Sequence, residues 1–171
     1  MEKSALDFRR SLESQLAPYR PYLKGEVAAH VVLVKGVAGA AEWAGRAPFS
    51  GEDGEALEKA LVALGWPKGS WCGILVAPVA PPGIASLQPG ELRLTCEIID
   101  PQVIVALDEP ARQALAAAFG PETVLAPGAQ TLVQGRNLIS VAGFEEALGD
   151  ANAKQRVWAQ LKRAVPPHSL V

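Results

Sequence analysis

The side chains able to do chemistry fall in two loops and one helix. Glu42, Glu52 and Asp53 stand close together in one stretch, and Glu145 and Glu146 in another. Two carboxylates facing each other across a pocket can share the acid and base roles of a hydrolysis. In loops and at helix starts the same residues otherwise serve as caps or solvated charges. Phe49, Trp43 and Trp71 are aromatics on which a base could stack. Lys154, Arg156, Lys162 and Arg163 stand in 152–165 with no acid among them. That suits a solvated helix face, or a contact surface for DNA or an acidic partner. His30 lies within an apolar run and reads as a core histidine, and His168 sits in a Pro-rich tail and reads as exposed. Cys72 and Cys96 are too few for a disulfide scaffold or a four-cysteine cluster. They read as buried free thiols, which points to a reducing, cytoplasmic setting. No metal site is expected.

The elements that must position these groups alternate. Ser4 can cap a first helix with Asp7 as its capping-box acid, and Ala5, Phe8, Leu12 and Leu16 fall on one face until Pro18 and Pro21 end it. "VAAHVVLVKG" (27–36) is a Val-rich run of strand length, as in a parallel strand buried on both faces. A long small-residue loop follows, then a helix from Glu52 to Leu64 with Gly65 as its stop. "WCGILVAPVAPPG" (71–83) is a second strand running into a Pro-rich loop, and Pro89 to Ile99 forms a short helix. "PQVIVALD" (101–108) is a third strand, and Asp108 can cap the helix that Pro110 opens and Gly120 closes. One or two strands lie in 131–143. The last helix, 150–165, is capped by Asp150 or Asn152 and buries Val157, Leu161 and Val165. This alternation predicts a three-layer α/β/α domain with a central, mainly parallel four-stranded sheet, its buried strands including 28–34, 72–77 and 103–107. Residues 1–24 read as an N-terminal helix and linker, and 25–171 as the domain. Ligands of open α/β sheets bind at the carboxyl ends of the strands, so loops 35–51, 77–88, 108–110 and 141–149 matter.

With 171 residues, 49% hydrophobic and 20% charged, the chain can bury a sizeable core. No apolar run approaches the ~18 residues needed to span a bilayer, and the charged, periodic N-terminus does not read as a secretory signal. A net charge of -2 gives no global basic footprint. The mild acidity suits protein partners better than duplex DNA.

The loops, in this order, resemble the uracil-DNA glycosylase superfamily, and most of all its thermophile-type (family 4) branch. The carrying stretch is "VVLVKGVAGAAEWAGRAPFSGEDGEAL", in which Gly39, Pro48, Phe49, Gly51, Gly54 and Leu57 fall on the family's first motif. "IIDPQVIVALDEPARQAL" is similar to a second family segment, and "GDANAKQRVWAQLKRAV" to the closing one. The resemblance covers 27–165. It implies the glycosylase fold, with Phe49 as the ring that stacks on an extruded base and Gly39 and Pro48 shaping the loop around it. It also implies that the chemistry has gone. The family's first-motif acid aligns with Gly36, the Asn that reads the uracil edge with Leu75, and the His of the late loop with Gly143. Pro78 and Val79 take the Lys and Cys places of the second loop, and Pro81, Pro82 and Gly83 keep only its geometry. The iron–sulfur cysteines are absent, so no cofactor is expected.

Function follows the site rather than the fold. The implied role is a non-catalytic binding or assembly subunit in bacterial DNA replication or repair, with a protein partner, weak or indirect DNA contact and no membrane. The psi subunit of the DNA polymerase III clamp loader, which looks like a pared-down glycosylase fold, is the precedent, and the N-terminal helix could reach such a partner. Two other readings stand beside it. One is a divergent active glycosylase removing damaged bases, with Glu42 as a substitute acid. The other is a binder of flipped or single-stranded bases that does not cut.

Overall fold

The computed structural model describes residues 2–77, 85–121 and 126–166. Its centre is a six-stranded mixed sheet in the order β1-β3-β2-β4-β6-β5. The strands are β1 (Leu23–Gly25), β2 (Val31–Lys35), β3 (Trp71–Leu75), β4 (Val103–Ala106), β5 (Gln130–Val133) and β6 (Arg136–Ser140). β3, β2, β4 and β6 pair in parallel, while β1 on β3 and β5 on β6 are antiparallel edges. Every residue of β2, β3 and β4 is buried, which is why their apolar runs are nearly unbroken.

The two edges correct the expected four-stranded sheet. β1 is three residues long with only Leu23 buried, and β5 buries only Val133. Neither carries the apolar signature of a central strand. β5 and β6 form a hairpin whose turn, Gln134 (φ 50°) and Gly135 (φ 81°), has both residues in the left-handed region, as a tight hairpin turn requires.

Among the described residues, seven α-helices cover the two faces: α1 (Glu2–Leu16), α2 (Ala40–Trp43), α3 (Glu52–Ala63), α4 (Pro89–Ile99), α5 (Glu109–Phe119), α6 (Phe144–Ala147) and α7 (Ala151–Leu161). Alternation along β2 sends Val32 and Val34 to one core with Leu12 and Leu16 of α1, Leu92 and Cys96 of α4 and Leu115 of α5. Val31 and Leu33 face the other core, with Leu57 and Leu61 of α3, Phe144 of α6 and Val157 and Leu161 of α7. No helix among the described residues is long and apolar enough to cross a membrane.

Several local expectations change. Ser4 lies inside α1, which already begins at Glu2, so it caps nothing. Phe8 is 61% exposed and Ala5 is exposed, because only the last turns of α1 reach the body. The small-residue loop after β2 contains α2. β2 starts at Val31, so His30 sits just before it, exposed and stacked near Trp66 (centroids 6.1 Å apart) rather than in the core. His168 lies outside the described residues. Asp108 and Asp150 cap as expected, accepting from Ala111 N and from Asn152 N and Ala153 N. Cys72 and Cys96 are buried free thiols, and burial pushes both up to about 12.

Candidate functional site

At the carboxyl ends of β2, β4 and β6 the loops enclose a cleft of about 470 Å³. Charged side chains, Lys35, Asp53, Asp108, Arg112, Glu145 and Glu146 among them, share its lining with apolar ones such as Val37, Leu107, Pro110 and Phe144. Its centre is a residue that the sequence reading passed over. Lys35 continues the Val31–Leu33 face of β2, toward α3, and its side chain is 4% exposed. Its ammonium reaches Glu42 at 2.9 Å, Asp53 at 2.7 Å and Glu145 at 2.9 Å. A Lys is almost never fully buried unless it is paired; here all three N–H donors of the ammonium have a carboxylate partner.

Glu42 is therefore not a solvated loop acid. It is 1% exposed and tied at both oxygens, Oε1 to Lys35 and the Phe49 N–H, and Oε2 to the Gly39 N–H. Asp53, at the start of α3, is 3% exposed. Glu52 is exposed, and so is Glu146 on the cleft wall. Burial pushes the Glu42 carboxyl up, but the hydrogen bonds from Lys35 and Phe49 outweigh it and its pKa is lowered. Burial likewise pulls Lys35 down, and its three carboxylate partners together hold it above its ordinary value.

Gly39 has its role here. A Cβ at this position would stand 2.1 Å from Glu145 Oε1. The missing side chain is what lets the Glu145 carboxylate cross to Lys35. Gly39→Ala is expected to push Glu145 off the ammonium, at a cost of about 0.5–1 kcal/mol, because Glu145 is 43% exposed and its pair is partly screened. In a Glu145→Ala background the same substitution should cost nothing further. Chemical denaturation of the four proteins measures this coupling, and an additive pair of effects would rule the crossing out.

Gly36, Gly143 and Leu75, the positions that the resemblance singles out, each have a definite place. A Cβ at Gly36 would meet Ala111 N at 2.4 Å, Pro110 Cβ at 2.6 Å and Asp108 Oδ1 at 2.7 Å. No side chain, acidic or otherwise, fits there. The Asp108 carboxylate occupies that space instead, accepting from Gly36 N at 3.0 Å, Val37 N at 3.3 Å and Ala111 N at 2.8 Å. Burial pushes Asp108 up, against the pull of these three N–H groups and Lys35. Asp108 is thus both helix cap and cleft acid, a double role that spacing alone does not display. Gly143 lines the cleft, where a Cβ would meet Glu146 Oε2 at 2.9 Å. Leu75 does not line it. Leu75 is fully buried against Ala38, with Tyr22 and Ala77 beside them. Pro78, Val79, Pro81, Pro82 and Gly83 lie outside the described residues.

Phe49 is 3% exposed and points into the α3-side core. Its ring lies against Gly73, where a Cβ would be 2.6 Å from two ring carbons, and meets Trp71 edge-on at 5.8 Å. Pro48 is buried beside it. Neither lines the cleft. Trp43 is 68% exposed. Arg112, missed from the sequence, is a buried part of the cleft lining and bonds Val141 O at 2.8 Å and Glu109 at 2.6 Å. Lys154, Arg156, Lys162 and Arg163 are exposed on α7 and the turn after it, in no ion pair among the described residues. No group of His, Cys, Asp and Glu among the described residues could hold a metal ion.

In comparisons with known proteins, no family model matches the chain and no curated protein matches it.

Proposed function

We propose that this chain is a non-catalytic binding subunit, built on a glycosylase-like frame, that serves an assembly in DNA replication or repair. One observation carries the reading: the buried charged groups at the strand ends are each committed to a partner. Lys35 holds Glu42, Asp53 and Glu145, and Arg112 holds Glu109. A catalytic acid or base needs a proton to give or take within reach of a substrate. Here the buried carboxylates are fastened to an ammonium and to backbone N–H groups, which suits struts between loops. The exposed cations of α7 offer the assembly a contact face.

Cleaving a glycosidic bond requires groups aimed at charge developing on sugar and base, each worth roughly 10²–10³ in rate. With Gly36, Leu75 and Gly143 in the family's three positions, single-turnover incubation with uracil-containing single- and double-stranded oligonucleotides is expected to give no abasic sites. A second reading, a rebuilt glycosylase, is favoured by one observation. The Asp108 carboxylate fills the space beside Gly36, at a cleft large enough for a ligand. Abasic sites that vanish on Asp108→Asn would establish that reading and sink the first.

A further inference from the structure

A second concavity shares no residue with the cleft at the strand ends. It is a groove of about 890 Å³ between α3 and the β1 edge of the sheet. Its floor is apolar or side-chain-free: the edges of Phe49 and Trp71, and Gly51 and Gly54. Val62 on its wall is 47% exposed. Lys24 on β1, Lys59 on α3 and Lys68 before β3 stand around it, exposed and in no ion pair among the described residues. Two acids share the wall, but Glu58 is turned inward, accepting from Gly69 N at 2.9 Å and from the Trp71 indole. Only Glu55 remains uncommitted beside the lysines.

From this we infer that the groove docks an extended acidic peptide segment of a partner protein, with one bulky apolar side chain against the floor and carboxylates facing Lys24, Lys59 and Lys68. Charge complementarity selects the occupant. Unpaired lysines around an apolar floor favour a ligand that brings its own acids and an apolar anchor. Single-stranded nucleic acid fits less well. Phe49 and Trp71 are 3% and 7% exposed, so they offer edges and no free ring face for a base. The inference goes beyond the assembly reading and stands whatever the cleft at the strand ends does.

The test pans short random peptides displayed on phage against the full chain. The enriched sequences are then measured by fluorescence anisotropy, with oligothymidylate as a parallel probe. The enriched peptides are expected to carry acids flanking a bulky apolar residue. Their affinity should fall by about ten-fold or more in Lys24→Glu/Lys59→Glu/Lys68→Glu and, separately, in Val62→Asp, and should weaken with salt. These side chains are exposed, and circular dichroism melts confirm that each variant is folded. Amide shift changes on peptide addition should cluster at 24–25, 49–63 and 68–71. No enrichment, enrichment without acids, affinity indifferent to both variants, or shifts elsewhere would overturn the proposal. So would oligothymidylate binding that is lost in the same variants while no peptide binds.

Discussion

Lys35→Met is expected to destabilise the protein by about 3–5 kcal/mol at neutral pH, the range for removing one partner of a buried ion pair. The loss comes less from the missing attraction than from what stays behind. Glu42 and Asp53 are 1% and 3% exposed, and without the ammonium they are buried charges with no cation. Arg93–Glu97 provides the control. It is an i,i+4 pair with side chains 43% and 39% exposed, and Glu97→Gln should change stability by no more than about 0.5 kcal/mol. The two substitutions therefore separate a buried cluster from a surface pair in one denaturation experiment.

The pH dependence has a definite sign. Glu42 titrates below its ordinary value in the native protein. Its contribution is present above the ordinary carboxylate range and is lost as pH falls through its lowered pKa. Lys35 titrates above its ordinary value, so its contribution is complete below the ordinary lysine range and is lost only as pH rises through the raised one. The wild type thus keeps the full cluster across neutral pH and weakens in acid. In Lys35→Met, Glu42 has no cation and takes up a proton more readily, which relieves the variant as the pH falls. The gap between the two proteins should narrow on acidification. A gap of under about 1 kcal/mol at pH 7, or one that widens in acid, would show that the cluster does not tie the loops together.

The layers were legible because they rest on periodicity. The buried runs of β2, β3 and β4 and the apolar faces of α3, α4 and α5 can be read one residue at a time. The edges were not, because β1 and β5 contribute backbone pairing with little buried apolar surface. The cluster was hidden for a different reason. A Lys at the end of an apolar run ordinarily marks the return to solvent, and its three partners come from α2, from α3 and from the far-off α6. Nothing local distinguishes Glu42, which is buried, from Glu52, which is exposed. What could have pointed to it is the register of β2. The strand's alternation puts Lys35 on the same side as Leu33, under α3, where an uncompensated ammonium could not stay. The Asp108 carboxylate beside Gly36 likewise joins two loops distant in sequence, and only the parallel pairing of β2 with β4 makes them neighbours.

Phe49→Ala is expected to cost about 3–5 kcal/mol, the loss of a core aromatic, rather than to leave stability intact as removal of an exposed stacking platform would. The ring fills the space over Gly73 and touches Trp71, and Lys35 Nζ lies 5.6 Å from its centroid. The backbone is equally constrained. Phe49 has φ 59°, in the left-handed region that a side chain disfavours by roughly 1–2 kcal/mol. Its N–H donates to Glu42 at 3.1 Å, and its carbonyl stands 1.9 Å from where a Cβ on Gly54 would be. Packing of the ring and the bond to Glu42 hold that conformation, and they join the hydrophobic core to the ion cluster. The backbone strain gives a second, sharper expectation. Glycine in an ordinary loop is no more stable than alanine, but at position 49 it relieves the left-handed strain. Phe49→Gly should therefore unfold at the same denaturant concentration as Phe49→Ala or at a higher one, although both lose the ring. Comparison of the three midpoints, with the denaturant slope unchanged, decides between packing and ligand binding. If Phe49→Ala kept wild-type stability and instead lost binding to a single-stranded oligonucleotide, the ring would be a base platform and its place in the core would be refuted.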